Sequence, residues 1–202
     1  MKLIFIGPQG SGKGTQAKIL SEELRIPHIS TGDLIRSTDG KLKEEVDSYI
    51  NKGNLISDGL MLRILKERLH NEDCKKGFIL DGFPRTMSQA KELGKLTDID
   101  KVIEIDISNE EAIRRLSGRR NCPKCGRIYN LATSPKPEED ALCDECKISL
   151  IQREDDFPHA IKKRLEIYHE ETEPILNKFD AIKINGEDEI KKITKEILKK
   201  LR

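Results

Sequence analysis

Residues 3–16, LIFIGPQGSGKGTQ, set four glycines and a lysine directly behind a short apolar run rich in isoleucine. Ordered glycine costs conformational entropy, so a cluster of it marks backbone that must come close to something. The apolar run is short and bounded, which predicts a buried parallel strand over residues 2–6. Behind it, Gly7-x-x-Gly10-x-Gly12-Lys13-Gly14-Thr15 leads into a helical pattern. Strand, glycine loop and helix in that order make a phosphate-binding loop. The glycines let successive N–H groups turn inward, and the helix start adds its positive dipole end. Lys13 then reaches the outer phosphates as a point charge. A tight turn alone would explain neither the lysine nor the flanking elements. One departure is visible: the strict pattern places Ser or Thr directly after the lysine, and here Gly14 precedes Thr15. The hydroxyl that ligates Mg²⁺ is displaced, which leaves the ion more dependent on other groups and on water.

Working outward, similar apolar runs stand at residues 77–81, 102–106 and 181–184, with helical patterns between them. Residues 58–69 put Leu62, Leu65 and Leu69 on one face, with Asp58 placed to cap. Residues 109–117 and 158–177 also predict helices, Pro158 suiting a first turn. The tail, 187–201, carries Ile190, Ile193, Ile197 and Leu201 on one stripe with lysines opposite, a helix that closes a core rather than one that lies on a membrane. This alternation predicts a three-layer α/β core around a parallel sheet. Residues 120–152 break the pattern: cysteines, prolines and acids replace periodic apolar positions, as in an inserted lobe.

The totals exclude several classes. The chain has 202 residues, with 37 Lys and Arg against 36 Asp and Glu for a net charge of +1, so no global field draws it to nucleic acid or membrane. Charged residues reach 36%, which fits both surface ion-pair networks of heat-adapted proteins and a Lys- and Ile-rich genomic bias. No apolar stretch approaches a membrane span and no signal-peptide pattern precedes the first strand, so the expectation is a soluble, cytoplasmic protein.

Asp81 closes an apolar strand, where an acid that orients Mg²⁺ belongs. In DGFPRT, residues 81–86, Arg85 follows it and offers a bidentate phosphate fork. STGDLIR, residues 30–36, places another arginine behind hydroxyls and a glycine. Together with the glycine loop, these segments resemble the adenylate kinase family of nucleoside monophosphate kinases. GRR at 118–120, QREDD at 152–156 and KKRLEIYHEET at 162–172 extend the likeness nearly end to end. The resemblance implies a five-stranded P-loop kinase core with two insertions. The CORE would comprise residues 1–29, 57–118 and 157–202, the helical AMP-binding domain 30–56, and a mobile LID 119–156. It further implies that Thr31, Arg36, Asn54, Leu55, Ile56, Gly82, Phe83, Pro84, Arg85, Gln89, Arg153 and Arg164 meet AMP. On the ATP side stand Gly10, Ser11, Gly12, Lys13, Gly14, Thr15, Arg115, Arg119, Ile128 and Tyr129. Lys13, Arg85, Arg119, Arg153 and Arg164 would act on the transferring phosphoryl group, and Asp33 and Asp81 would hold Mg²⁺ through water. The implied reaction is ATP + AMP ⇌ 2 ADP in a monomer, with no nucleic-acid or membrane partner. Two departures stand out: residues 37–53 are a few positions short of the common bacterial form, and Asp58-Gly59 replaces the usual Asp-Glu. A pyrimidine monophosphate kinase and a non-catalytic nucleotide sensor are the competing functions.

Cys122-x-x-Cys125 and Cys143-x-x-Cys146, seventeen residues apart, form two knuckles that can converge on one tetrahedral metal. Thiolates in a cytosolic setting favour zinc, with iron the lesser alternative. A freestanding zinc ribbon on nucleic acid has similar knuckles, but acidic residues between these pairs repel phosphate backbones. In the family resembled, such a ribbon is a structural metal site in the LID. Cys74 stands alone as a small semi-buried residue, and His28, beside the AMP segment, is the one histidine of interest.

Overall fold

A computed structural model of the chain describes residues 1–50 and 56–202, apart from the side chains of Arg36 and Ile50. The predicted strands form: β1 (Lys2–Ile6), β3 (Phe78–Asp81), β4 (Lys101–Asp106) and β7 (Ala181–Asn185). A fifth, β2 (His28–Ser30), completes a parallel sheet of order β2-β3-β1-β4-β7. Its three residues contain one fully buried apolar side chain, Ile29, so it leaves no apolar run in the sequence.

Side chains alternate across a strand, and the sheet shows what each face covers. Leu3 and Phe5 of β1 pack with Ile79, Ile103, Ile105 and Ile184 against Ala17 and Leu20 of α1 (Lys13–Leu24) and Ile193 and Ile197 of α8 (Ile190–Lys200). Ile4 and Ile6 face the other way, with Phe78, Leu80 and Val102, onto α4 (Asp58–Leu69) and α5 (Met87–Leu96). The core is therefore three layers deep. β1 lies between β3 and β4, so the chain diverges to either side of its carboxyl end and opens a crevice there. The glycine loop occupies that position.

Three expectations need correction. Ser57, not Asp58, caps α4: its side chain accepts the Leu60 N–H, and Asp58 is left for another contact. The buried stripe of α4 is Leu60, Met61, Ile64 and Leu65, with Leu62 and Leu69 only partly covered. The helix expected over 158–177 stops at Ile167 as α7 (Pro158–Ile167). A wide turn over Tyr168–Thr172 follows, with the Glu173 N–H bonded to Tyr168 O, and then a tight one over Glu173–Lys178. Pro174 has no N–H to continue an α-helical ladder, so the backbone widens before it.

Between β3 and β2 on one side lie α2 (Thr31–Arg36) and α3 (Gly40–Ile50). Beyond β4, α6 (Asn109–Gly118) packs Ala112 and Leu116 against Ile161 and Leu165 of α7. From this helix pair projects the cysteine lobe, an antiparallel β5 (Arg119–Asn121) and β6 (Ile128–Asn130) with a further bridge from Asn121 to Ile151. Among the described residues, no helix is long and apolar enough to cross a membrane.

Candidate active site

The glycine loop is built by close approach. A Cβ on Gly7 would stand 2.2 Å from the Ile105 carbonyl oxygen, so only glycine lets the loop leave β1 beside β4. Gly14 answers the departure from the strict loop pattern: a Cβ there would lie 3.2 Å from Asp81 Oδ2. A residue without a side chain lets that carboxylate come up against the first turn of α1. The His28 Nε2 lies 3.3 Å from the same Asp81 oxygen. Ser11 is buried within the loop and Thr15 is exposed on the first turn of α1.

Lys13 folds back over the loop. Its Nζ donates to Gly7 O and Pro8 O, each at 2.7 Å, and to Ser11 Oγ at 3.3 Å. Desolvation brings its pKa from 10.5 down to about 8, against the pull of Asp81 and with added push from Arg85, Arg164 and Arg119. These groups come from β3 and the loop after it, from α7 and from β5, so the field at one ammonium records their convergence. A lysine whose pKa is moved chiefly by burial, with an acid and three guanidiniums in its field, marks a candidate functional site.

Three of the expected site arginines, Arg115, Arg119 and Arg164, are paired with acids. Arg119 makes a two-pronged pair with Asp156, Nε to Oδ2 at 2.7 Å and Nη2 to Oδ1 at 2.5 Å. Arg164 Nη1 donates to the Asp155 carbonyl at 2.8 Å and approaches Asp156 Oδ1 at 3.4 Å. Asp156 is wholly buried. A buried carboxylate between two guanidiniums is the pairing that burial demands. Arg115 donates to Glu111 Oε1 at 2.6 Å, and Arg114 with Arg115, against the cost of burial, holds that carboxyl at about 2. Arg153 donates through Nε to Asn121 Oδ1 at 3.1 Å.

On the other side of Asp81, the loop 82–86 is anchored by buried Phe83 and Pro84, joined by a cis peptide. Arg85 Nε donates to Gly82 O at 2.8 Å, and the Thr31 hydroxyl donates to the same oxygen at 3.2 Å. Gln89 accepts the Arg85 backbone N–H at 2.7 Å. Asp33 sits in the first turn of α2, whose cap is Ser30. Ile56 packs partly buried against the core. Asn54, Leu55 and the Arg36 side chain lie outside the described residues.

In the lobe, Ile128 is half exposed, whereas Tyr129 is turned inward: its hydroxyl lies 3.6 Å from Cys143 Sγ and accepts the Asp144 N–H at 2.9 Å. The Tyr129 ring therefore packs on the cysteines, leaving only its backbone to border a nucleotide. The four sulfurs of Cys122, Cys125, Cys143 and Cys146 lie within 4.8 Å of one another. Cys125 and Cys143 are 3.7 Å apart, which is too long for a disulfide. It matches the roughly 3.8 Å sulfur–sulfur edge of a tetrahedron with ~2.3 Å metal–sulfur bonds. In each knuckle a backbone N–H points at the first sulfur, Cys125 N to Cys122 Sγ at 3.5 Å and Cys146 N to Cys143 Sγ at 3.4 Å. The donor set fits a structural metal.

Three participants were assigned no part in the site from sequence alone: Asp156, Glu111 and Asp58, the last read only as a helix cap. The first two had a visible signal, an acid within reach of a site arginine, at 155–156 and on the same helix face as 115. Asp58 had none, because Gln89 lies 31 residues away in the chain.

A family model described as Adenylate kinase matches residues 5–184. Full-length relatives bear the same name: one from Methanocella arvoryzae is 46% identical, covering all of this chain and 99% of its own. Those from Kosmotoga olearia, at 46%, and Caldicellulosiruptor bescii, at 44%, have the same coverage. With its glycine loop at the carboxyl end of β1, its arginines gathered around Lys13 and its likeness running end to end, the chain belongs to the adenylate kinase family.

Proposed function

We infer that the chain transfers the terminal phosphoryl group of ATP to AMP, reversibly, giving two ADP. One observation carries this: Lys13, folded over the glycine loop, lies in the field of Asp81, Arg85, Arg119 and Arg164, which come from separate elements. Phosphoryl transfer needs little covalent help from protein; it needs two anionic groups held in line and their charge stabilised. Lys13 and the loop residues 10–15 serve the ATP phosphates. Arg115 and Arg119 join them as the lobe closes, with Ile128 and the Tyr129 backbone at the base. Thr31, Arg36, the 54–56 backbone, residues 82–85 and Gln89 serve AMP, and Arg153 and Arg164 bridge the two phosphate chains.

Asp33 and Asp81 would hold Mg²⁺ through its waters. When bound, the ion neutralises developing charge on the phosphate oxygens. Asp81 is well placed because Gly14 gives it room, and His28 fixes one of its oxygens. Asp156 and Glu111 hold their arginines as an oriented set, which the phosphates would meet on closure. Closure over the nucleotides also excludes the water that would otherwise hydrolyse ATP.

The cysteine lobe is a LID over residues 119–156, and the metal its four thiolates suit best is zinc, in a structural role. Four protein ligands leave no position for substrate. The CORE spans 1–29, 57–118 and 157–202, with the AMP-binding insertion at 30–56. The same likeness supports a cytoplasmic monomer. A coupled assay of ADP formation with ATP and AMP, CMP, UMP or GMP tests the assignment. Rapid ADP formation with AMP alone is expected; equal or greater rates with UMP or CMP would make the chain a pyrimidine kinase, and none with any acceptor would leave a nucleotide-binding protein.

A further inference from the structure

Gln89 and Asp58 form a locked pair behind the acceptor loop. Gln89, in the first turns of α5, is 8% exposed. Its Oε1 accepts the Arg85 backbone N–H at 2.7 Å, and its Nε2 donates to Asp58 Oδ1 at 2.6 Å. The other oxygen of Asp58 accepts the Thr86 hydroxyl at 3.4 Å. Thr86 in turn caps α5, its hydroxyl oxygen accepting the Gln89 backbone N–H at 3.1 Å. A backbone N–H can only donate and an ionised carboxylate can only accept, so these two partners admit one orientation of the amide. Flipping it would set N–H against N–H and oxygen against carboxylate in a nearly buried place.

We propose that Asp58 is a specificity-determining positioning residue, which holds Gln89 so that it reads a 6-aminopurine monophosphate and rejects a 6-oxopurine. The proposal rests on the assignment of Gln89 to the acceptor nucleotide made above. A primary amide offers two N–H bonds and two lone pairs, and the network uses one of each. The remaining pair matches adenine, whose edge sets the N6 donor beside the N1 acceptor. Hypoxanthine presents the reverse, an O6 acceptor beside an N1–H donor, and matches only the flipped amide. Asp58 touches no substrate; it acts by making the flip unfavourable. The start of α4 and the start of α5 are thereby joined into one reader.

The test compares kcat/KM for AMP and for inosine monophosphate at saturating Mg-ATP in wild type, Asp58→Asn and Asp58→Ala. The amide introduced by Asp58→Asn accepts either orientation of Gln89, and Asp58→Ala opposes neither. Both variants should lower the AMP-over-IMP ratio by on the order of tenfold, the scale of one bidentate base contact, mostly through KM. The Arg85 N–H still favours the original orientation, so selectivity falls without inverting. General loosening of α4 would lower both rates in parallel and leave the ratio where it was. That outcome, or an unchanged ratio with unchanged rates, overturns the proposal. The wild-type measurements separate its failure from that of the parent assignment. Absence of ADP formation from AMP removes the function itself, and equal use of AMP and IMP by wild type removes Gln89 as the base reader.

Discussion

The glycine loop and the cysteine lobe are the two regions with the strongest sequence signatures, and they depend on opposite supports. Around the loop, Leu3, Ile4, Phe5 and Ile6 are all 2% exposed or less, and two apolar clusters cover both faces of the strand that carries it. The lobe's buried cluster is Cys122, Tyr129, Cys143 and Leu150. Two of those four belong to the cysteine cluster that could hold a metal. The loop rests on a core built by burial, whereas the lobe has its clustered cysteines for a core. It follows that chemistry and stability should come apart in opposite directions in the two places.

The largest effect is expected at Lys13. Lys13→Ala removes the charge that meets the phosphates in a dry site, and turnover should fall by about 10²–10³ or more. The unfolding temperature should hold or rise slightly, because a desolvated ammonium is lost from a scaffold that does not need it. Near-normal turnover would detach the loop from the chemistry.

Arg85→Ala probes the acceptor side of the same crevice. A charge-assisted contact of about 1.5–3 kcal/mol corresponds to a rise of roughly 10- to 150-fold in the KM for AMP. The KM for ATP should change much less. Initial rates with each nucleotide varied in turn decide it; equal changes in both would misplace Arg85.

A smaller effect comes from the depressed pKa of Lys13, about 8 against an ordinary 10.5. In the empty site the amine is largely neutral above pH 8, and bound phosphates restore its charge. ATP binding near pH 9 should therefore take up close to one proton, and binding at pH 6.5 almost none. For the empty protein the sign is the reverse of a salt-bridged lysine. The unfolded chain binds more protons between pH 8 and 10.5, so this group's contribution to stability rises across that window. Calorimetry in two buffers of different ionisation enthalpy measures the uptake, and a binding enthalpy at pH 9 that is the same in both buffers would show that Lys13 stays charged.

The two regions also differ in how plainly the chain displays them. Both are local motifs, four cysteines or four glycines at fixed spacing, and local spacing can be read from sequence because the chemistry that uses it is local. The four long sheet strands were legible for a similar reason, since burial on both faces leaves continuous apolar runs. Strand β2 was not, because at the sheet edge only Ile29 had to be apolar. The break in the helix after Ile167 was signalled by Pro174 alone, inside an otherwise helical pattern. The contacts that organise the site were least legible. Asp156 with Arg119, Asp58 with Gln89 and His28 with Asp81 join residues 37, 31 and 53 positions apart. Their partners are chosen by strand order and helix packing, not by spacing. The inward turn of Tyr129 has the same origin: a small lobe needs its one large ring to cover its own sulfurs.

Removing the metal tests this division of labour most directly. Structural zinc contributes roughly 10–16 kcal/mol in isolated finger peptides, and less should be seen in a lobe tethered to a folded core. Thermal unfolding and turnover at low temperature should be measured together on the zinc-loaded chain, the stripped chain and Cys143→Ser. Stripping and Cys143→Ser should both lower the unfolding temperature and hasten heat inactivation, while turnover in the cold stays within a few-fold of the loaded protein. Loss of cold turnover in a stripped chain whose lobe remains folded would mean that the metal takes part in the chemistry, and that the lobe is not held together by its ligand set.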